Sequence, residues 1–258
     1  MNNRKEPLVS IITASYNNED TIRDTIESIL NQSYNNIEYI FVDGLSKDRT
    51  LDIINDFEDQ IVARGFKFKL LSEKDNGIAD AWNKGIKLSR GEVIGFLNSD
   101  DWYERTAIEK AIKQLDVNKP QISYGICKRV DSNKNVTDII QGRFIPLKLY
   151  FNFGFSHTTC FKTSKVYQKI GLFDTNFKIG IDTDLLLRAY KHKVDFIQCD
   201  NVTFMREGGV SLKFKELAEE EYIKALYKNK FKFIGSARFI FKIIYRLKNY
   251  SFFNKKNK

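Results

Sequence analysis

Cysteine is scarce in this 258-residue chain, and the three present, Cys127, Cys160 and Cys199, stand far apart without a C-x-x-C pair. An odd, scattered set argues against a disulfide framework or a zinc site and for a reducing, cytoplasmic setting. Met1 to Pro7 lacks an apolar core of the kind that marks a secretory leader, which argues against secretion. No stretch approaches eighteen uninterrupted apolar residues, so no transmembrane helix is expected. Neither G-x-G-x-x-G after the first strand nor G-x-x-x-x-G-K-[ST] anywhere occurs, which removes support for a dinucleotide fold or a P-loop. Internal repeats and low-complexity linkers are absent too. From Tyr222 to the end there is no acidic residue at all.

What the chain does have is apolar and aromatic content, 42% and 14%, too much for a disordered chain and enough for a packed core. Its length suits one large α/β domain or two small ones. Lys and Arg number 42 against 33 Asp and Glu, a balance of +9. Thirteen basic and four acidic residues lie from Lys213 onward, so the first 212 residues are neutral and the tail carries the whole excess.

Apolar runs at Leu8–Thr13, Ile37–Val42, Phe66–Leu71 and Glu92–Leu97 predict four strands. Helical faces separate them: Ile22, Ile26, Ile29 and Leu30; then Leu51, Ile54 and Phe57 behind an Asp48 cap; then Ile78, Ala81, Trp82 and Ile86. Strand and helix alternating four times in about one hundred residues call for a largely parallel sheet with helices on both faces. Past Pro120 the rhythm loosens, with strands expected near Gln121–Cys127 and Thr158–Lys162, a helix from Asp182 and a strand pair near Val194–Met205.

Ligands of parallel sheets bind at the carboxyl edge. The four strand ends bring Ser15-Tyr16-Asn17, Asp43, Asp75 and Asn98-Ser99-Asp100-Asp101 to that edge. Carboxylates gathered there repel one another unless a cation or a donor sits among them, and Mg²⁺ or Mn²⁺ with phosphate oxygens is the simplest partner.

The ordered motifs carry a family resemblance. Val9–Asn17 (VSIITASYN), Val42–Thr50 (VDGLSKDRT), the run 75–86 (DNGIADAWNKGI) and the run 95–101 (GFLNSDD) resemble family 2 glycosyltransferases, closest to the colanic-acid and capsule polysaccharide branch. Ser156-His157, Gly171–Asp174, the run 181–188 and Gly208–Ser211 continue the match over about residues 8–211.

The resemblance implies an inverting enzyme with the GT-A fold: a Rossmann-like, mostly parallel sheet flanked by helices. It implies a domain at 1–211, with a nucleotide half near 8–103 and an acceptor half near 104–211, followed by a basic tail at 212–258. Thr13, Ser15 and Tyr16 would wall the nucleoside of a sugar nucleotide, Asp43 would accept a hydrogen bond from the base, and Glu19 and Asp75 would stand close by. Asn83 matches an asparagine near the donor, on a helix face shared with Asp80 and Lys84 and opposite the apolar one. Asn98-Ser99-Asp100 occupies the DxD position. Asp100 is then the metal ligand, and Asn98 brings an oxygen without charge. Asp182 matches the general base of an acid pair whose first member is here Ile181. His157, Arg206 and Ser211 would lie near the acceptor or the diphosphate.

The function expected is transfer of a sugar from a nucleoside diphosphate, UDP foremost, to a lipid-linked glycan of a bacterial surface polysaccharide. Mg²⁺ or Mn²⁺ would serve as cofactor. Two alternatives are a sugar-nucleotide-forming nucleotidyltransferase and a catalytically silent membrane-bound binding module. Arg238, Lys242 and Arg246 repeat every four residues beside Phe239, Ile240, Ile243, Ile244 and Leu247, the pattern of an amphipathic helix lying on an anionic membrane surface. Nucleic acid is not an expected partner. The expected place is the cytoplasm, peripheral on the inner face of the plasma membrane.

Overall fold

The first hundred residues alternate buried and covering segments with little irregularity. In the computed structural model, which describes residues 6–146, 152–209, 214–233, 236 and 238, they form β1 (Val9–Ser15), α1 (Ile22–Leu30), β2 (Ile37–Asp43), α2 (Thr50–Asp56), α3 (Glu58–Ala63), β3 (Lys67–Ser72), α4 (Ile78–Leu88) and β4 (Val93–Phe96). Successive side chains of a strand face opposite ways, and here both faces are apolar. Val9, Ile11, Tyr39 and Phe41 meet α1 to α3, while Ile12, Ile40 and Val42 meet α4. β2 is therefore buried at all seven positions. Its one acid at the far end, Glu38, is held by Ser10 Oγ at 2.6 Å, the Arg90 amide at 2.7 Å and Lys69 Nζ at 2.6 Å.

β3, β2, β1 and β4 lie side by side and parallel, as expected. The second half departs from that pattern. β5 (Trp102–Tyr103), α5 (Ala107–Ile112), β6 (Gln121–Val130), β7 (Val136–Ile140), β8 (Phe161–Thr163), α6 (Ser164–Ile170), α7 (Ile181–Lys191) and β9 (Asp195–Arg206) follow, then α8 (Lys215–Lys228). β8 runs antiparallel to both β4 and β6, β9 is parallel to β6, and β5 is antiparallel to β9, so the described sheet of nine strands is mixed. The strand pair expected near Val194–Met205 is one twelve-residue strand, which absorbs a register shift against Tyr124–Ile126. The strand expected from Thr158 begins later, because His157–Thr159 forms a single tight 3₁₀ turn.

Two helix faces also differ from expectation. Ile78 is 40% exposed at the head of α4, and Ile53 takes the inward place expected for Leu51. Asp48 does lead into α2, its Oδ1 accepting from the Thr50 amide at 3.0 Å.

α8 opens the segment 212–258 but is not a detached tail: Tyr222, Ala225 and Leu226 are buried in the same core as Ile181, Leu185 and Trp82. Arg238 pairs with Glu219 at 2.7 Å and covers the Tyr222 ring at 3.9 Å. The rest of the expected basic stripe, Lys242 and Arg246 with Phe239 to Leu247, lies outside the described residues. Among the described residues no helix is long and apolar enough to cross a membrane.

Candidate active site

Register brings the first three strand ends level, with Ser15 opposite Asp43 and Asp43 opposite Ser72. Asp43 is fully buried, and its carboxylate accepts from Ser15 Oγ (3.1 Å), Ser46 N (2.9 Å), Ser46 Oγ (2.5 Å) and Ser72 Oγ (3.1 Å). A carboxylate offers about four acceptor positions, and these bonds use them all. The resemblance implies that Asp43 accepts a hydrogen bond from the base; in the fold these four bonds tie it to Ser15, Ser46 and Ser72.

The loops above it are laced together. The Asn17 amide donates to Ser46 Oγ, the Lys47 amide to Asn17 Oδ1, the Asn18 amide to Thr50 Oγ1, the Glu19 amide to Asp48, and the Arg49 amide to Glu19. The fourth loop joins them through Ser99 Oγ to Asn18 Oδ1 at 2.8 Å and Thr21 Oγ1 to Ser99 O at 3.0 Å. Glu19 is thus a strut between two loops. The third loop closes over Gly44, where an added Cβ would stand 2.6 Å from Asp75 Oδ2 and 3.4 Å from Tyr16 Cδ2. A side chain at this position would meet the Asp75 carboxylate too closely, whereas the Tyr16 ring stands at ordinary contact distance. Tyr16 is 57% exposed, an aromatic face open at the sheet's carboxyl edge.

Thr13 is fully buried and its hydroxyl meets Tyr39 Oη at 3.4 Å, so it backs this wall from inside. Asn83 is also buried. Its amide donates to Phe173 O (2.9 Å) and accepts from Phe173 N (3.0 Å), fastening α4 to the loop ahead of α7. The expected polar face of α4 therefore holds only Asp80 and Lys84, which form an ion pair at 3.5 Å.

After β4, Asn98 Nδ2 donates to Asp101 Oδ2 at 3.0 Å, and Asp101 Oδ1 accepts from the Arg206 amide at 3.1 Å. Asp101 is buried, Asp100 partly exposed. Burial, reinforced by the Asp100 charge, pushes the Asp101 carboxyl well above the usual carboxylate range. Among the described residues no cluster of three or more His, Cys, Asp or Glu is placed to hold a metal ion. A hard cation bound by only one or two carboxylates, with its other oxygens from water and phosphate, is the kind of cation that Asp100 and Asn98 could hold here. A positive charge there would also relieve the repulsion between Asp100 and Asp101.

Gly95 pairs with Phe161 in antiparallel β8, so the residues leading into β8 lie past the carboxyl end of β4. Here the second half adds a cluster the sequence does not announce. Lys162 is fully buried, its Nζ 3.0 Å from His157 Nε2 and 5.2 Å above the Phe96 ring. Burial pulls this ammonium down to about 8. His157 is buried and stacked on Trp82 at 5.0 Å, and burial plus the Lys162 charge holds it well below the usual histidine range, hence neutral. The side chain expected near the acceptor is thus part of the core.

Asp182 opens α7, partly buried, with Oδ1 accepting from the Thr183 amide at 2.7 Å. Burial pushes its carboxyl above the usual range, and the Thr183 amide and the Lys162 ammonium pull it only part of the way back. Asp184 is committed elsewhere, to Arg188, Lys228 and Asn229.

Arg206 pairs with Asp24 and stacks on Trp102 at 4.9 Å, on the opposite flank of Asp101 from Asn98. Ser211 lies outside the described residues. An open cavity of about 270 Å³ between α1 and β5, lined by Asp24, Glu27, Asn31, Trp102, Arg105 and Lys134, contains none of the strand-end residues.

Comparison with known proteins follows the same lines. The family model "Glycosyl transferase family 2" matches residues 10–184. Among curated proteins, Escherichia coli WfaP, a UDP-Glc:alpha-D-GlcNAc-diphosphoundecaprenol beta-1,3-glucosyltransferase, is 42% identical over 120 residues, 45% of this chain and 45% of WfaP. The match thus spans less than half of that relative's length. Among solved structures, S. aureus TarS 1-349 in complex with UDP-GlcNAc superposes with a TM-score of 0.64 at 18% identity, covering 86% of this chain and 65% of that one. The mannosyltransferase PcManGT from Pyrobaculum calidifontis, in complex with GDP-Man and Mn2+, gives 0.65 at 18% identity, covering 87% and 64%.

Proposed function

The chain belongs to glycosyl transferase family 2 and has the GT-A fold, and from that premise we propose that it moves a sugar from a nucleoside diphosphate, UDP foremost, to a hydroxyl of a lipid-linked saccharide in bacterial surface polysaccharide synthesis. The observation that carries this reading is the laced rim of strand-end loops, with Tyr16 and Asp75 both bordering Gly44; Asp182 at the head of α7 is the base the family match supplies. WfaP supports the choice of a UDP-linked donor and a GlcNAc-diphosphoundecaprenol type of acceptor.

In this reading the Tyr16 ring stacks on the base, and the Asp75 carboxylate faces the nucleoside. Ser15, Asp43 and Ser46 keep the floor rigid, so that the donor is bound in one orientation. Asp100 and Asn98 present oxygens to a divalent cation, Mg²⁺ or Mn²⁺. When bound, that cation neutralises charge on the leaving diphosphate.

Asp182 takes the proton of the attacking hydroxyl while that oxygen bonds to the anomeric carbon. The bond from that carbon to the β-phosphate oxygen breaks on the opposite face, and its electron pair leaves with the nucleoside diphosphate. Configuration is inverted. A carboxyl raised by burial suits the task, because a general base works best with a pKa nearer the operating pH. The basic segment after α8 would hold the enzyme against an anionic membrane where a lipid-linked acceptor resides.

The test is release of UDP or GDP from UDP-glucose, UDP-GlcNAc and GDP-mannose, with and without Mn²⁺, in the presence of GlcNAc-diphosphoundecaprenol. Turnover that needs both acceptor and cation, and is lost in Asp100→Ala, is the expected result. Absence of turnover with every donor, or full activity in Asp100→Ala, would contradict the proposal.

A further inference from the structure

α8 lies past residue 184, where the family match ends, yet it bonds both the turn before α7 and Asp184 in its first turn. Glu221, on its inner face and only 6% exposed, points its carboxylate at the turn before α7. Oε2 accepts from the amides of Ile179 (2.7 Å), Gly180 (2.7 Å) and Lys178 (3.0 Å), and Oε1 accepts from Lys178 as well (2.9 Å). The approach is so close that an added Cβ at Gly180 would stand 3.0 Å from Glu221 Cβ. Seven and eight residues on, the same helix face returns. Lys228 Nζ and Asn229 Nδ2 reach Asp184 Oδ1 at 2.9 and 3.0 Å. Asp182 therefore sits between two anchors, at 178–180 and at 184, and both come from α8.

We infer that Glu221 is a positioning residue for sugar transfer, fixing the 178–180 turn and through it the place of the Asp182 carboxylate. Three convergent amide bonds to one carboxylate make a stiff, charge-assisted hold, and a displacement of about 1 Å in a reacting group can cost about a hundredfold in rate. Asp182 has no direct bond to the loops of the donor rim among its hydrogen bonds above, so loosening Glu221 should leave donor binding intact. This inference rests on Asp182 being the base.

The test compares Glu221→Ala, Glu221→Gln and Asp182→Asn in the full chain. It uses transfer from whichever of UDP-glucose, UDP-GlcNAc and GDP-mannose turns over, UDP affinity by calorimetry, and hydrogen exchange of amides 178–183. Glu221→Gln keeps one acceptor oxygen and should be intermediate. Rate and amide protection should both fall in the order wild type, Glu221→Gln, Glu221→Ala, with about a tenfold to hundredfold loss of kcat in the last and UDP affinity within about twofold. Wild-type kcat per folded molecule in Glu221→Ala would overturn the inference, even if Tm falls. So would wild-type kcat and exchange in Glu221→Gln when Glu221→Ala does not fold. An active Asp182→Asn would end the base assignment itself; an inactive Asp182→Asn beside a fully active Glu221→Ala would end only the role of Glu221.

Discussion

Two buried acids in the first half of the sheet and one buried lysine in the second are treated in contrasting ways. In the first half two buried acids are fully met: Glu38 has Ser10, Arg90 and Lys69, and Asp43 has three serines. In the second half Lys162 is buried against a neutral histidine and a phenyl face, and the segment leading to Asp182 is held by a carboxylate from α8. A satisfied rim resists change and, on the proposed function, would offer a nucleotide one fixed shape. An under-compensated charge beside a candidate base costs stability but adjusts that base's proton affinity. On the proposed function, the contrast is between a rim that holds the donor and a buried charge that tunes the base.

The sharpest break of that contrast is Asp182→Asn. Transfer should fall by about 10²–10⁴-fold, while UDP affinity by calorimetry stays at the wild-type value. Stability should not suffer. The folded pKa of Asp182 is raised, so between the unfolded value of 3.8 and the folded one the native state holds the extra proton. Stability from this group is present at low pH and is lost as pH rises through that window. At neutral pH the variant should melt at the same temperature or higher, with the difference closing as pH falls.

Asp43→Ala attacks the other half. It strands the Ser15, Ser46 and Ser72 hydroxyls and the Ser46 amide, and should cost about 2–4 kcal/mol in chemical denaturation. UDP binding should be lost with it, because three strand ends lose their common tie. Unchanged stability in this variant would mean that the four bonds to Asp43 do not act as a unit.

Lys162→Met should go the opposite way, raising stability at pH 7 by about 1–3 kcal/mol by removing a buried charge. The sign follows from its depressed pKa of about 8. Between about 8 and 10.5 the unfolded chain binds more protons than the native one, so wild-type stability rises with pH there. The advantage of the methionine should shrink across that window. Without the ammonium, the Asp182 carboxyl also moves further up, and the acidic limb of the kcat/KM profile should shift to higher pH.

The alternation of buried strands and half-buried helices made the first half readable, since period-2 and period-3.6 patterns survive wherever both sheet faces are covered. The same rule hides the cluster in the second half. Phe161 and Lys162 are neighbours, yet both are buried, because β8 lies between β4 and β6 with both faces covered. Nothing in a one-strand pattern says that the lysine points inward. Asn83 looks solvent-facing on a helical wheel because the loop that covers it, at Phe173, is ninety residues away. Glu221 is further hidden by its place in a segment whose charge reads as a tail, although its bonds reach back more than forty residues. Local signals carried the scaffold and the rim; long-range partners decide which polar residues are spent on structure.

Tyr16 is where that distinction can be measured most finely. Its ring is 57% exposed and borders Gly44 beside Asp75, while its backbone amide is tied to Asn18 Oδ1 at 3.0 Å. Removing the ring should therefore leave the loop in place, and Tyr16→Ala should change stability by no more than about 0.5 kcal/mol. A base stacked on that ring would lose about 1 kcal/mol, the low end for aromatic stacking, so the Kd for UDP should rise about fivefold and kcat at saturating donor should hold. Tyr16→Phe keeps the face and should bind as the wild type does. If Tyr16→Ala binds UDP with unchanged affinity, the nucleoside does not use this wall, and the donor must lie elsewhere along the rim.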